Sequence, residues 1–510
     1  MSQSFGFDWV AQHSRRRPDD IAVVTADTGF VLSWYQLEQR VARLAHLLGA
    51  AFGVGPGDRV ALLADSDARY FEIQFAAIRL GAIFVPLNVR LTEAELQAVL
   101  ADCAPRVLIH DPDHTAVAVQ VSEHTLQWDD GPLPSRYDAV RDPSAPALAG
   151  ARLDASAIAQ IMYTSGTTGR AKGVLITNGA MAAHAVNMAH TSSCADRDAH
   201  ALNFVPLFHA GGLNIFCNPV LYWGGRVTTT RGFDPRQVLA LLTDESLGAT
   251  ITAGVLQMYE RITDLDEFAD ARFPTMRVAL FGGFGPDALR THIKWLGRGP
   301  VLQLGYGSTE LGPMACMNQH PDDGALARGE FGAPVPLTEL HCVDENGVAV
   351  QVGEIGEIEV RGPSVTAGYW RLEHDAHKPD GWFSIGDVGY LDTGGSVHVT
   401  GRLVERYRSG GENIYPAEVE AAYLDLPGVI ELAVTGVPDQ QWGEVGLLVI
   451  VPEPGITFTL EQVRRHAEGK LARFKLPQHL RVVDALPRST TLKVARNELR
   501  ASFEHAGATR

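Results

Sequence analysis

From Ser33 onward the chain alternates capped helical stretches with short apolar runs rich in β-branched residues, and that alternation restricts it to layered α/β architecture. Ser33 stands three residues before Gln36, the spacing of a capping box, and Leu37, Val41, Leu44 and Leu48 then repeat on one helical face up to Gly49. RVALLA at 59–64 and AIFVPL at 82–87 read as strands, so largely parallel sheets are expected. At 510 residues the chain exceeds what one hydrophobic core supports, and at least two domains follow. A glycine-dense stretch at 381–411 breaks the pattern. Beyond it, VGLLVIV at 445–451 reads as a buried strand, and Leu460, Val463, Ala467 and Leu471 form one face of a helix opened by Thr459. The expected organisation is α/β: a large N-terminal domain of several subdomains over residues 1–403, then a small α+β C-terminal domain over 404–510.

The net charge is -17, from 43 basic and 60 acidic residues, which opposes nonspecific attraction to nucleic acid or an anionic bilayer. A polyanionic ligand would need a local basic pocket. Cys103, Cys194, Cys217, Cys316 and Cys342 are odd in number, widely spaced and without a CxxC pair, so neither a disulfide framework nor a zinc site is expected. Asp8 and the run Arg15–Arg17 interrupt the amino terminus where a signal peptide needs an apolar core. No apolar segment approaches a membrane span, and the cytoplasm is the expected compartment.

The first segment that carries chemistry is YTSGTTGRAKGV, residues 163–174, which follows the apolar run AIAQIM. Glycines let a backbone turn with its N–H groups converging on phosphate oxygens, Ser165, Thr167 and Thr168 offer hydroxyls, and Lys172 supplies positive charge. The spacing differs from a Walker A loop, which needs a glycine, four intervening residues, then Gly-Lys-Ser/Thr. PLFHAGG (206–212), YGSTE (306–310), GWFSIGD (381–387), GRLVER (401–406), SGGENIYPAEVE (409–420) and LPRSTTLKVARNELR (486–500) follow in order.

This ordered set, together with LSWYQL near the start, resembles the adenylate-forming superfamily of acyl-CoA synthetases, coumarate-CoA ligases, peptide-synthetase adenylation domains and luciferases, over nearly the full length. The resemblance implies an AMP-forming acyl-CoA ligase: ATP and an apolar carboxylic acid give an acyl-adenylate and pyrophosphate, and a mobile C-terminal lid domain then turns so that coenzyme A attacks the adenylate. By motif, it implies nucleotide contacts from Thr164, Ser165, Gly166, Thr167, Thr168, Gly169, Lys172, Gly283, Tyr306, Gly307, Asp387 and Arg402. Thr309 touches the α-phosphate, Glu310 holds Mg2+, and Asp387 accepts from the ribose hydroxyls. Tyr306 stacks on adenine or walls the acyl site, and Lys493 bridges the carboxylate and the α-phosphate during adenylation. The acyl pocket is assigned to His209, Gly211, Phe281, Phe284, Leu304, Gly305 and Leu311, with Gly211 and Gly212 leaving room for substrate. His209 is either a gate to that pocket or an ordinary packed histidine. For the CoA step, Gly410 and Gly411 form the strip along the pantetheine arm, Arg408 contacts a phosphate or carboxylate, and Val404 is the hinge. Trp442 either packs on the CoA adenine or is a half-buried core residue.

The acyl-pocket motif FHAGG lacks the acid that holds an amino-acid ammonium group, which disfavours an amino-acid substrate. Luciferase-like oxygenation shares these motifs, and a non-catalytic adenylate or CoA binder is the reading from another class, opposed by Lys493, Glu310 and Asp387. A homodimer is compatible with the resemblance. Several positions depart from the family pattern: Ala171 replaces a proline, Leu492 a glycine before Lys493, Ile385 a threonine, Phe284 and Gly285 a Gly-Gly-Ala-Pro stretch, and Val404 a hinge lysine or aspartate. Most touch the ATP-dependent half, so a second expectation is slow adenylation, in the extreme an enzyme that consumes an acyl-adenylate made by a partner enzyme. Lys493→Ala is expected to abolish pyrophosphate release from ATP plus acid while largely sparing CoA-ester formation from synthetic acyl-adenylate; equal loss in the two assays refutes the assignment.

Overall fold

The computed structural model describes residues 5–128, 136–164, 171–282, 286–372, 377–410, 412–423, 425–488 and 494–506. A six-stranded sheet runs in the order Lys172–Thr177, Ile158–Thr164, Ile83–Pro86, Arg59–Leu63, Val107–His110 and Thr125–Gln127, parallel except for its first pair. Every residue of Ile83–Pro86 and Val107–His110 is buried, the signature of parallel strands covered by helices on both faces. A nine-stranded sheet has a parallel centre from Val301–Tyr306 through Val278–Gly282, Ile251–Val255, His200–Asn203 and Arg226–Thr229 to Ile21–Thr25, with antiparallel strands at both edges.

The expectation of parallel sheets therefore holds for these two layers and not for the next. Glu339–Val343, Gly356–Arg361, Asp387–Leu391 and Val397–Arg402 form a wholly antiparallel sheet. A last sheet begins at Tyr407 and pairs Glu412–Ile414, Tyr407–Ser409, Gly443–Pro452, Val429–Asp439 and His479–Val482. Its two core clusters contain only residues beyond Arg406. Among the described residues no helix is long and apolar enough to cross a membrane.

Local signals acted where the hydrogen bonds are local. Ser33 accepts from the Gln36 amide and Gln36 accepts from the Ser33 amide, opening the helix Trp34–Phe52. That helix runs past Gly49 and stops at Gly53, whose left-handed backbone caps it. Thr459 opens Leu460–Ala467 with the same reciprocal cap, but the helix ends before Leu471. The long helix buries Trp34, Leu37, Val41, Leu44 and Leu48 in the main core. It also buries Arg40, whose Nε lies 2.5 Å from Glu72 Oε2, while Tyr137 donates to Glu72 Oε1 at 2.6 Å. Glu72 is wholly buried, so both donors are needed to offset its desolvation. Glu72→Ala should lower unfolding stability by about 3–5 kcal/mol, because it leaves a buried guanidinium unpaired; a urea titration that moves by less than 1 kcal/mol (about the value of an exposed pair) would contradict the network.

Candidate active site

The strands Ile158–Thr164 and Lys172–Thr177 pair antiparallel with Thr164 opposite Lys172, so both flanks of the glycine-rich segment meet at one point of the sheet. Ser165, Gly166, Thr167, Thr168 and Gly169 lie outside the described residues. Val174 bridges Tyr369, and Lys172 Nζ sits 5.3 Å from the centre of the Tyr369 ring, a cation–π distance. The Tyr369 hydroxyl donates to Glu310 Oε1 at 3.2 Å. Burial, and then the Glu310 charge, hold the Tyr369 phenol far above its ordinary pKa, so it remains a donor. Tyr369 is absent from the sequence-based assignment: a lone tyrosine in a loop, 59 residues from Glu310, carries no local signal.

Tyr306 ends the strand Val301–Tyr306, and a turn carries Thr309 and Glu310 just beyond it. Gly307 permits that turn: a Cβ there would lie 1.9 Å from the Pro313 carbonyl oxygen. The Tyr306 hydroxyl donates to Asp387 Oδ2 at 2.9 Å, and Arg402 Nε lies 3.1 Å from Asp387 Oδ1. Asp387 opens one strand and Arg402 closes its neighbour, directly opposite in register. Asp387 is 6% exposed. Burial and the adjacent Asp387 carboxylate push the Tyr306 phenol well up. Its ring is also buried and tilted against Phe331. Lys172, Tyr369 and Glu310 thus form one contact chain and Tyr306, Asp387 and Arg402 another, joined by the five-residue segment 306–310.

The acyl-pocket assignment divides. Phe281, Leu304 and Leu311 are buried to within 2% in the second core cluster, and Phe281 packs edge-on to Tyr259. Phe281 and Leu304 lie on strands and Leu311 in the short turn Thr309–Leu311, and all three pack in the core there. At Gly305 the space a side chain would occupy is filled by the Met314 methyl. Gly212 likewise serves packing, since a Cβ would lie 2.3 Å from the Pro206 carbonyl oxygen. Gly211 has open space beyond Val205, and His209 is exposed beside Phe208, which excludes the packed-core reading of the histidine. Gly283 and Phe284 lie outside the described residues. Phe204, Pro206, Phe208, Asp65, Arg90 and Arg231 line a cavity of about 130 Å³ next to this loop, which sequence reasoning did not foresee.

In the last domain, Trp442 is 49% exposed and belongs to no core cluster, contrary to the core alternative. Its ring lies over Gly410, whose φ of +59° and close approach to Trp442 both call for glycine. Arg408 is exposed, and its amide donates to Glu444. Val404 is 72% exposed in the short turn Leu403–Glu405. Gly411, Leu492 and Lys493 lie outside the described residues.

Comparison with known proteins finds the AMP-binding enzyme family over residues 10–370 and the AMP-binding enzyme C-terminal domain over 418–493. A feruloyl-CoA synthase from Amycolatopsis sp is 38% identical over 500 residues, covering 97% of this chain and 98% of its own. An indoleacetate–CoA ligase from Aromatoleum aromaticum is 36% identical over 505 residues, with 97% of each covered. Among solved structures, ATP-bound MatB from Rhodopseudomonas palustris superposes with a TM-score of 0.85 at 32% identity, covering 97% of this chain and 98% of that one. The o-succinylbenzoate CoA synthetase of Bacillus subtilis with its acyl-adenylate gives 0.83 at 29% identity, with 98% of each covered. The turn that joins the two contact chains is the most easily tested part of the site. Gly307→Ala should cost about 1–3 kcal/mol by overpacking against backbone, seen as a lower Tm, and a variant as stable as the parent would refute the close approach.

Proposed function

The chain belongs to the AMP-binding, adenylate-forming enzyme family and is an AMP-forming acid–CoA ligase, and from that premise we propose that it activates an apolar acid bearing an aromatic ring. The observation that carries the placement of the nucleotide is the pair of contact chains joined through residues 306–310. ATP supplies the adenylyl group and CoA the thiol. Asp387 receives the ribose hydroxyls: an ionised carboxylate has about four acceptor sites, and Tyr306 and Arg402 occupy only part of that capacity. Because those two donors hold it, the carboxylate is oriented before the nucleotide arrives, which lowers the entropy cost of binding.

Glu310 fits a magnesium ion. Its carboxylate is a hard oxygen donor, partly exposed, and oriented by Tyr369. When bound, the ion neutralises phosphate charge; Thr309 beside it donates to the α-phosphate. Lys172, held over the Tyr369 ring, meets phosphate charge at the mouth of the glycine-rich segment. Lys493 stabilises the charge that accumulates as carboxylate and α-phosphate approach. His209 and Gly211 face the acid, the histidine as a gate and the glycine as space. In the second half-reaction the domain of residues 404–510 turns, and Gly410 with Trp442 guides the CoA arm.

The aromatic-acid reading rests on the relatives: feruloyl, indoleacetate and o-succinylbenzoate all carry a ring. Phe208 beside His209 adds an aromatic face at the proposed entrance. All five cysteines are unpaired and buried, which suits a reducing compartment, the cytoplasm. The purified chain with ATP, Mg2+, CoA and a panel of aryl and alkyl acids should yield CoA thioesters and AMP in equal amounts, fastest with aryl acids. Preference for alkyl acids would overturn the substrate class, and AMP without thioester would overturn the ligase reading for the acids tested. Asp387→Ala should weaken ATP binding by about tenfold or more, the scale of a charge-assisted hydrogen bond, and calorimetry showing unchanged affinity would remove Asp387 from the nucleotide site.

A further inference from the structure

The connection between the antiparallel sheet and the last domain is held on both sides. On one side, Arg402 lies against the buried Asp387 carboxylate and the Leu403 amide donates to the Gly386 carbonyl at 2.7 Å. On the other, Arg496 Nε lies 3.3 Å from Glu405 Oε2. Arg496 is itself immobilised: its amino groups bind both oxygens of Glu420, and Nη1 donates to the Val434 carbonyl at 2.8 Å. Glu420 in turn accepts from the Val434 amide at 2.7 Å. Helix, strand and guanidinium therefore form one rigid corner of the last domain, and Glu405 is attached to it. Between the two attachments stands Val404, with 72% of its surface exposed.

We propose that the Glu405–Arg496 pair fixes the last-domain side of the Val404 hinge that the family resemblance implies, as Asp387–Arg402 fixes the other side, so that Glu405 and Arg496 are positioning residues for the turn between half-reactions. This rests on the ligase reading, which supplies the two half-reactions. A rotation concentrates where it disrupts least. At Leu403 it would break the bond to Gly386; at Glu405 it would pull a carboxylate from a part-buried guanidinium; at Val404 little packs against the side chain. A β-branched residue at this joint therefore has almost nothing to displace when the backbone turns. The same guanidinium opens the helix Arg496–Ala506, three residues after Lys493 in the chain, so loosening it disturbs the adenylation half more than the CoA half.

The variants are Glu405→Gln, which removes the charge and keeps the shape, Glu405→Asp as the conservative control, and Arg496→Lys. Pyrophosphate release from ATP plus acid and CoA-ester formation from synthetic acyl-adenylate are measured separately on the full chain, together with backbone hydrogen exchange over 403–407. Glu405→Gln should shift the ratio of the two rates about fivefold, the scale of one partly exposed ion pair, and should raise exchange at 405–407, with Arg496→Lys in the same direction and Glu405→Asp close to the parent. A general loss of structure would instead lower both rates together. Equal changes in the two half-reactions, or unchanged exchange in Glu405→Gln, would overturn the joint. A parent protein that makes neither adenylate nor thioester with any acid would be a failure of the ligase reading, and the exchange comparison would still decide the clamp.

Discussion

The Asp387 carboxylate is the point on which the site's geometry depends. A buried carboxylate is expensive unless donors surround it, and here the donors come from different parts of the chain: Tyr306 from the end of a parallel strand and Arg402 from the end of an antiparallel one. The nine-stranded sheet, the antiparallel sheet and the connection to the last domain therefore meet at one charge. Displacing any of them would cost that buried charge a donor, so their relative positions are coupled through it. The turn bearing Thr309 and Glu310 inherits its place from the same contact, because it begins directly after Tyr306.

Polar groups hold the site's flanks in a similar way. Gln160, on the strand that leads into the glycine-rich segment, bonds to Gln74 and to Asn214. Asn214 follows Gly212 by two residues in a π-helical turn and also accepts from Asn218. All four amides are buried, so each donor and acceptor must find a partner inside. The network ties the segment around Asn214 to the strand Ile158–Thr164 through directional bonds, whereas the apolar core around it would tolerate small slides. A π-turn is itself uncommon and recurs near functional sites, and here it places Asn214 within reach of Gln160.

Residues whose partners are neighbours in sequence were legible, and those whose partners are remote were not. The Ser33 cap could be read from its three-residue spacing to Gln36, although the helix end was misplaced at Gly49 instead of Gly53 and the second helix was carried past Ala467 to Leu471. The motifs placed Lys172, Glu310, Asp387 and Arg402 on a list, but nothing local says that Tyr369 joins the first two or that Tyr306 and Arg402 meet at Asp387. Phe281, Leu304 and Leu311 show the limit from the other side: apolar residues near a motif look alike whether they line a pocket or fill the layer behind it.

From its sequence alone this protein was determined to be a layered α/β chain of more than one domain, bearing the ordered motifs of an adenylate-forming ligase, because periodicity, capping and motif order are properties of short segments. Tertiary structure alone decided which carboxylate is buried, which aromatic residues are buried with it, and that Glu405 and Arg496, 91 residues apart, meet beside Val404. Those outcomes depend on long-range contacts between charged groups removed from water, and the energy of such contacts is set by the surroundings that folding creates.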